Sequence, residues 1–152
     1  MRNTKTNSLT SAEELEYLKT IYGENQAEKL FALLTDSFNV IQNRAQMLLS
    51  LITITLTITG FSGAKIAESS LFARLSIAFG LGFVLLSALI LMAGPLRLNW
   101  CTRSRSKSLD QSLIKLIEQR NFRTERYHQA SVALVIGLIG YVTSVISFLI
   151  LG

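Results

Sequence analysis

Thr35, Asn39, Gln42, Gln46, Ser50, Thr53, Thr57 and Gly60 follow one another at steps of three or four residues. A helix turns about 100° per residue, so this spacing puts all eight on one stripe. None is charged, and all but Gly60 carry a hydroxyl or a carboxamide. Groups of that kind do no acid–base work. They can bond across to a neighbouring helix or back to their own carbonyls, as an interhelical seam. They can also face water as the lining of a pore assembled from several copies. The two readings are compatible if the seam builds the oligomer. Gln46, Ser50, Thr53, Thr57 and Gly60 are the candidate pore-lining or seam residues.

Other reactive residue types are sparse. "GFSG", residues 60–63, sets Ser62 between two glycines, a nucleophile-like pattern. A serine nucleophile needs a base within hydrogen-bond reach, and the only histidine is His128. Cys101 is the only cysteine, so an intrachain disulfide is ruled out. The basic residues beside it would suit lipidation or oxidation, but a plain free thiol is the expectation. There is no cysteine–histidine cluster for a metal, and no glycine-rich phosphate loop after a strand. The expectation is no catalytic residue, no cofactor, no metal and no enzyme.

The elements that carry the stripe are legible from charge. Twenty residues without a charge separate Arg44 from Lys65, 22 separate Arg74 from Arg97, and the 24 residues from Gln129 to Gly152 carry none. About 20 mostly apolar residues cross a hydrocarbon layer roughly 30 Å thick. Soluble core helices seldom stay uncharged for so long. Three spans are therefore expected, near 46–64, 75–96 and 130–151. None holds Asp, Glu, Lys, Arg or His, which argues against ion-coupled transport and aspartyl intramembrane proteolysis. "LITITLTITG", residues 51–60, alternates like a strand. A lone strand would leave its backbone unsatisfied in lipid, so a helix is expected here. Thr53 and Thr57 then share one side, and Thr55 and Thr59 share another. Ser62 falls near the outer end of the first span and His128 at the cytoplasmic start of the third, about a bilayer apart. That separation excludes their pairing.

With three spans, the N-terminal segment and residues 97–129 lie on one side. They hold 13 of the 15 basic residues, leaving only Lys65 and Arg74 on the other. Basic residues near spans mark the cytoplasmic face. The expectation is a multi-pass protein of the plasma (inner) membrane, N-terminus cytoplasmic and C-terminus outside. Arg97, Arg103, Arg105 and Lys107 are expected to meet anionic lipid headgroups. Few aromatics interleave the basic residues, so no nucleic-acid partner is expected. The first long apolar stretch lies behind a polar, charged segment of about 45 residues, so no secretory leader is expected.

Residues 1–25 read as a polar tail with a short amphipathic helix, opened by a Ser11/Glu14 capping box and stopped by Gly23. Residues 26–152 read as the membrane domain. Leu30, Leu34, Phe38, Ile41, Ala45, Leu48 and Ile52 share one face. They predict a single helix from about 26 to 61, ended by Gly60 and Gly63, whose first half projects into the cytoplasm. Gly94 and Pro95 end the second span. Ser108 and Gln111 are a second capping-box pair, opening a helix that runs into the third span. Ser76, Gly80, Ser87 and Gly94 fall in a narrow arc of the second span. Ala133, Gly137, Gly140, Ser144 and Ser147 do the same on the third. Such faces let helix backbones approach closely in lipid, and Ser76, Gly80, Ser87, Gly137, Gly140 and Ser144 are the packing candidates.

The order of "DSFNVIQNRAQMLLSLITITLTITGFSG" and "ARLSIAFGLGFVLLSALILMAGPLRL" resembles small bacterial anti-phage membrane effectors of the Pycsar and SLATT types. There a cytoplasmic helix leads directly into a transmembrane hairpin, and the resemblance implies membrane permeabilisation. "GFSG" also resembles the nucleophile motif of rhomboid proteases, whose larger multi-helix core is missing here. The expected fold is an all-α integral membrane protein: three transmembrane helices with helical cytoplasmic extensions on the first and third. The expected function is an oligomeric pore-forming or permeabilising effector. The alternative is a non-enzymatic adaptor that docks a cytoplasmic protein through its extensions. The expected partners are the lipid bilayer and further copies of the chain, with no small-molecule substrate.

Overall fold

The computed structural model describes residues 10–23, 27–96 and 109–151. They form four helices and no strand: α1 (Ser11–Tyr22), α2 (Ala27–Ser69), α3 (Leu71–Ala93) and α4 (Leu109–Leu151). By length and composition α2, α3 and α4 can each cross a membrane. The chain divides into two compact units, Met1–Val40 with Leu98–Phe122, and Ile41–Arg97 with Arg123–Gly152.

In the first unit, Thr10 caps α1. Its hydroxyl accepts from the Glu13 N–H, and the Glu13 carboxylate accepts from the Thr10 N–H at 2.8 Å. The capping box is therefore Thr10/Glu13, not Ser11/Glu14. "TSAEE" offers both pairs at the same spacing, and the chain turns extended one residue earlier, leaving Ser11 as the first helical residue. Gly23 ends the helix at φ +89°, donating its N–H to the Lys19 carbonyl at 2.8 Å. A positive φ of this size suits glycine because no Cβ resists it. Leu15 of α1, Leu30, Leu34 and Phe38 of α2 and Leu113, Leu116 and Ile117 of α4 form this unit's core. Arg120 pairs with Glu14 at 2.6 Å and Lys19 with Asp110 at 2.8 Å, both tying α1 to α4.

In the second unit α2 does not stop at Gly60 or Gly63; it runs to Ser69. A glycine inside a helix costs about 1 kcal/mol relative to alanine, whereas breaking the helix in lipid would free several backbone groups. Gly63 is a packing residue: a Cβ there would come within 3.1 Å of the Ile77 methyl. The stretch 65–74 left between the first two expected spans is almost wholly helical, and the connection shrinks to Ser70, which is extended (φ −158°, ψ 157°) and caps α3 by accepting from the Ala73 N–H. The helix that carries the second expected span therefore begins at Leu71, four residues before residue 75. Gly94 and Pro95 end α3 as the sequence predicts, and both are buried. The core is one buried row on α3, Ala73, Ile77, Gly80, Val84, Ser87 and Leu91, set against Ala45 and Ile52 of α2 and Ala130 and Leu134 of α4. Leu75, Phe79, Leu85, Leu89 and Met92 of α3 point outward. So broad an outward apolar surface suits contact with hydrocarbon rather than water.

Candidate functional site

The two sets of candidate residues separate cleanly in the second unit. The packing set meets along the line between α3 and α4. Gly80 lies so close to α4 that a Cβ on it would stand 2.8 Å from the Gly137 carbonyl oxygen and 2.9 Å from the Tyr141 nitrogen. A Cβ on Gly140 would stand 3.0 Å from the Gly80 Cα and 3.3 Å from the Ser76 carbonyl oxygen. The hydroxyls of this seam donate across it. Ser87 Oγ donates to the Ala130 carbonyl at 2.7 Å, and Ser144 Oγ to the Ala73 carbonyl at 3.2 Å. Van der Waals contact and interhelical hydrogen bonds are what hold helices together where lipid offers no hydrophobic drive.

The α2 set does the opposite. Gln46, Ser50, Thr53, Thr57 and Gly60 are all exposed. Ser50 Oγ donates to the Gln46 carbonyl at 3.1 Å, Thr53 Oγ1 to Leu49 at 3.0 Å and Thr57 Oγ1 to Thr53 at 2.9 Å. Each hydroxyl proton is thus committed to the helix's own backbone, and the oxygen lone pairs remain free to accept. The Gln46 carboxamide has no protein partner among the described residues. A Cβ on Gly60 would meet nothing within 4 Å, so no packing within the chain calls for glycine there. Of the stripe's other members, Gln42 is exposed in this unit, and Thr35 and Asn39 are exposed in the first.

Thr55 and Thr59 are the buried pair, at 7% and 9% exposure. Their hydroxyls bond back to Leu51 and Thr55. The threonines of the alternating decapeptide therefore divide into an outward pair and an inward pair. The inward row Thr55, Thr59, Gly63, Ile66 has steps of four, four and three, the same signal that exposes the outward stripe.

Ser62 donates to its own Ile58 carbonyl at 2.8 Å and lies 3.3 Å from the Tyr141 hydroxyl. His128 stands 13 residues before Tyr141 on α4, about 20 Å along the axis, too far to take a proton from Ser62. The Ser62–Tyr141 contact was not foreseeable, since it depends on how α2 and α4 align. A groove of about 720 Å³ between α3 and α4, lined by Phe72, Leu75, Phe79, Ile136, Ile139 and Thr143 among others, is almost wholly apolar. Its Thr143 hydroxyl already donates to Ile139. No group of three or more His, Cys, Asp or Glu converges among the described residues. Arg97, Arg103, Arg105, Lys107, Cys101 and Ser108 lie outside the described residues. Comparison with protein families, with curated proteins and with solved structures returns no match.

Proposed function

We propose that this chain is a multi-pass plasma-membrane protein whose copies associate with the α2 stripe turned inward, forming a water-filled path for ions. One observation carries the reading: Gln46, Ser50, Thr53, Thr57 and Gly60 are exposed on one helix face that nothing else in the second unit covers. The cross-helix hydrogen bonds of the second unit come instead from Ser87 and Ser144 between α3 and α4, from Arg74 between α3 and α2, and from the Ser62–Tyr141 contact between α2 and α4. None of these is a stripe residue, so the stripe is not needed to hold α2, α3 and α4 together. In lipid the Gln46 carboxamide would forfeit its hydrogen bonds at a cost of roughly 2 kcal/mol or more. Facing water, it and the hydroxyl oxygens keep their partners. A membrane-permeabilising effector, as the resemblance to anti-phage proteins implies, would use such a path.

The test is ion flux through the purified protein in lipid vesicles. Wild-type protein passes ions, and the Thr53→Leu/Thr57→Leu variant assembles to the same size but does not. If the wild-type protein passes no ions, the pore reading is wrong. Tyr17 and Ile21 of α1, 59% and 55% exposed, favour the second reading, an adaptor with a cytoplasmic protein partner. Capture of one defined partner that depends on residues 11–40 or 108–125, without flux, is the result that selects it.

A further inference from the structure

The stripe has a charge at one end. Along α2, Ala64 and Glu68 continue the spacing of Gln46, Ser50, Thr53, Thr57 and Gly60 at steps of four. At about 100° per residue, Glu68 lies within about 40° of Gln46 around the axis. It is 22 residues further on, about 33 Å at 1.5 Å per residue, close to the thickness of the hydrocarbon layer. Glu68 is exposed, and no ion pair joins it to the described residues. Lys65 is turned about 100° from Gln46, off the stripe. Arg74 on α3 directs its Nε to the Ala67 carbonyl at 3.2 Å. On α2 itself the outward stripe from Gln46 to Glu68 bears a single charge, and it is negative, while Lys65 and Arg74 are exposed at the same end.

A second observation points the same way. The hydroxyls of Ser50, Thr53 and Thr57 donate to carbonyls of their own helix at 2.9–3.1 Å, so what they turn outward is oxygen lone pairs. A surface of acceptors orients water, and coordinates ions, to the advantage of cations. Resting on the pore reading above, we propose that the path conducts monovalent cations in preference to anions. Glu68 concentrates them at its far mouth, and the threonine and serine oxygens accept them along its length. Rings of acidic side chains and of oxygen acceptors are general means of selecting cations. A charged mouth with low-dielectric walls raises the local counter-ion concentration roughly tenfold or more.

The experiment is the reversal potential of the full-length protein in a planar bilayer of neutral lipid under a KCl gradient. Wild-type protein is expected to favour K⁺ over Cl⁻ by roughly tenfold. Glu68→Gln should cut that ratio several-fold, more so in dilute salt where screening is weak. Lys65→Gln, off the stripe, should leave the ratio no lower. A wild-type current with no preference, or one favouring Cl⁻, overturns the cation inference while the pore stands. A cation preference unchanged in Glu68→Gln overturns the role of Glu68. Absence of any current overturns the pore reading itself, and this inference with it.

Discussion

Gly80→Ala asks whether the close contact of α3 with α4 holds the second unit together. The added Cβ would stand 2.8 Å from the Gly137 carbonyl oxygen, where 3.4 Å is ordinary contact. The neighbours are backbone atoms, so no side chain can swing away and α3 must retreat by about 0.6 Å. That retreat would stretch the Ser144–Ala73 hydrogen bond from 3.2 Å to about 3.8 Å, beyond useful length. Overpacking costs about 1–3 kcal/mol, and each interhelical hydrogen bond about 0.6 kcal/mol more. The better helix propensity of alanine returns little, because a helix as apolar as α3 stays helical in an apolar environment such as detergent even when the helices part. The net loss is about 2–4 kcal/mol. Gly82→Ala is the control, since nothing lies within 4 Å of a Cβ there. The assay is titration of the detergent-solubilised protein with a denaturing detergent, followed by a probe of helix–helix contact rather than of helix content. A Gly80→Ala midpoint equal to wild type, or an equal loss in Gly82→Ala, refutes the reasoning.

Two further outcomes follow from single hydrogen bonds. Ser147 Oγ is buried without a hydrogen-bond partner among the described residues, so Ser147→Ala should be neutral or stabilising, whereas Ser87→Ala should lose about 0.5–2 kcal/mol in the same titration; a larger loss from Ser147→Ala reverses the assignment. Glu13 is fully exposed, and its carboxyl is held below the usual glutamate range, chiefly by the Thr10 backbone N–H and also by its hydroxyl. A lowered carboxyl stabilises the helix start above the ordinary glutamate range and loses that effect as pH falls through the folded value. Amide exchange at the first turn of α1 should therefore show greater opening on acidification. Glu13→Ala should show that opening already at neutral pH, and an α1 terminus insensitive to both would contradict the capping box.

The helices, and the surface that is apolar, are legible from residue order alone. Charge-free runs beside Arg44, Lys65, Arg74, Arg97 and His128 mark the apolar cores of α2, α3 and α4, because ionised groups are expensive in hydrocarbon wherever the chain folds. Helical spacing also separated Thr53 and Thr57 from Thr55 and Thr59, since angular position needs only the 100° step. The alternation of the decapeptide was misleading because period two is a local signal, and lipid admits a spanning chain only as helix or closed barrel. What spacing could not assign was the neighbour of each face. That Gly80 meets Gly137 and Gly140, and that Gly63 packs on Ile77 rather than ending α2, depends on the axial alignment of helices far apart in the chain. The turn at Ser70 was likewise a choice between capping one residue and breaking the helix earlier at Gly60, decided by the contacts that Ile66 makes with Ala73 and Ile77. Tertiary structure thus decided which small-residue face closes the fold and which polar face is left outward, because both faces carry the same residue types and only packing tells them apart.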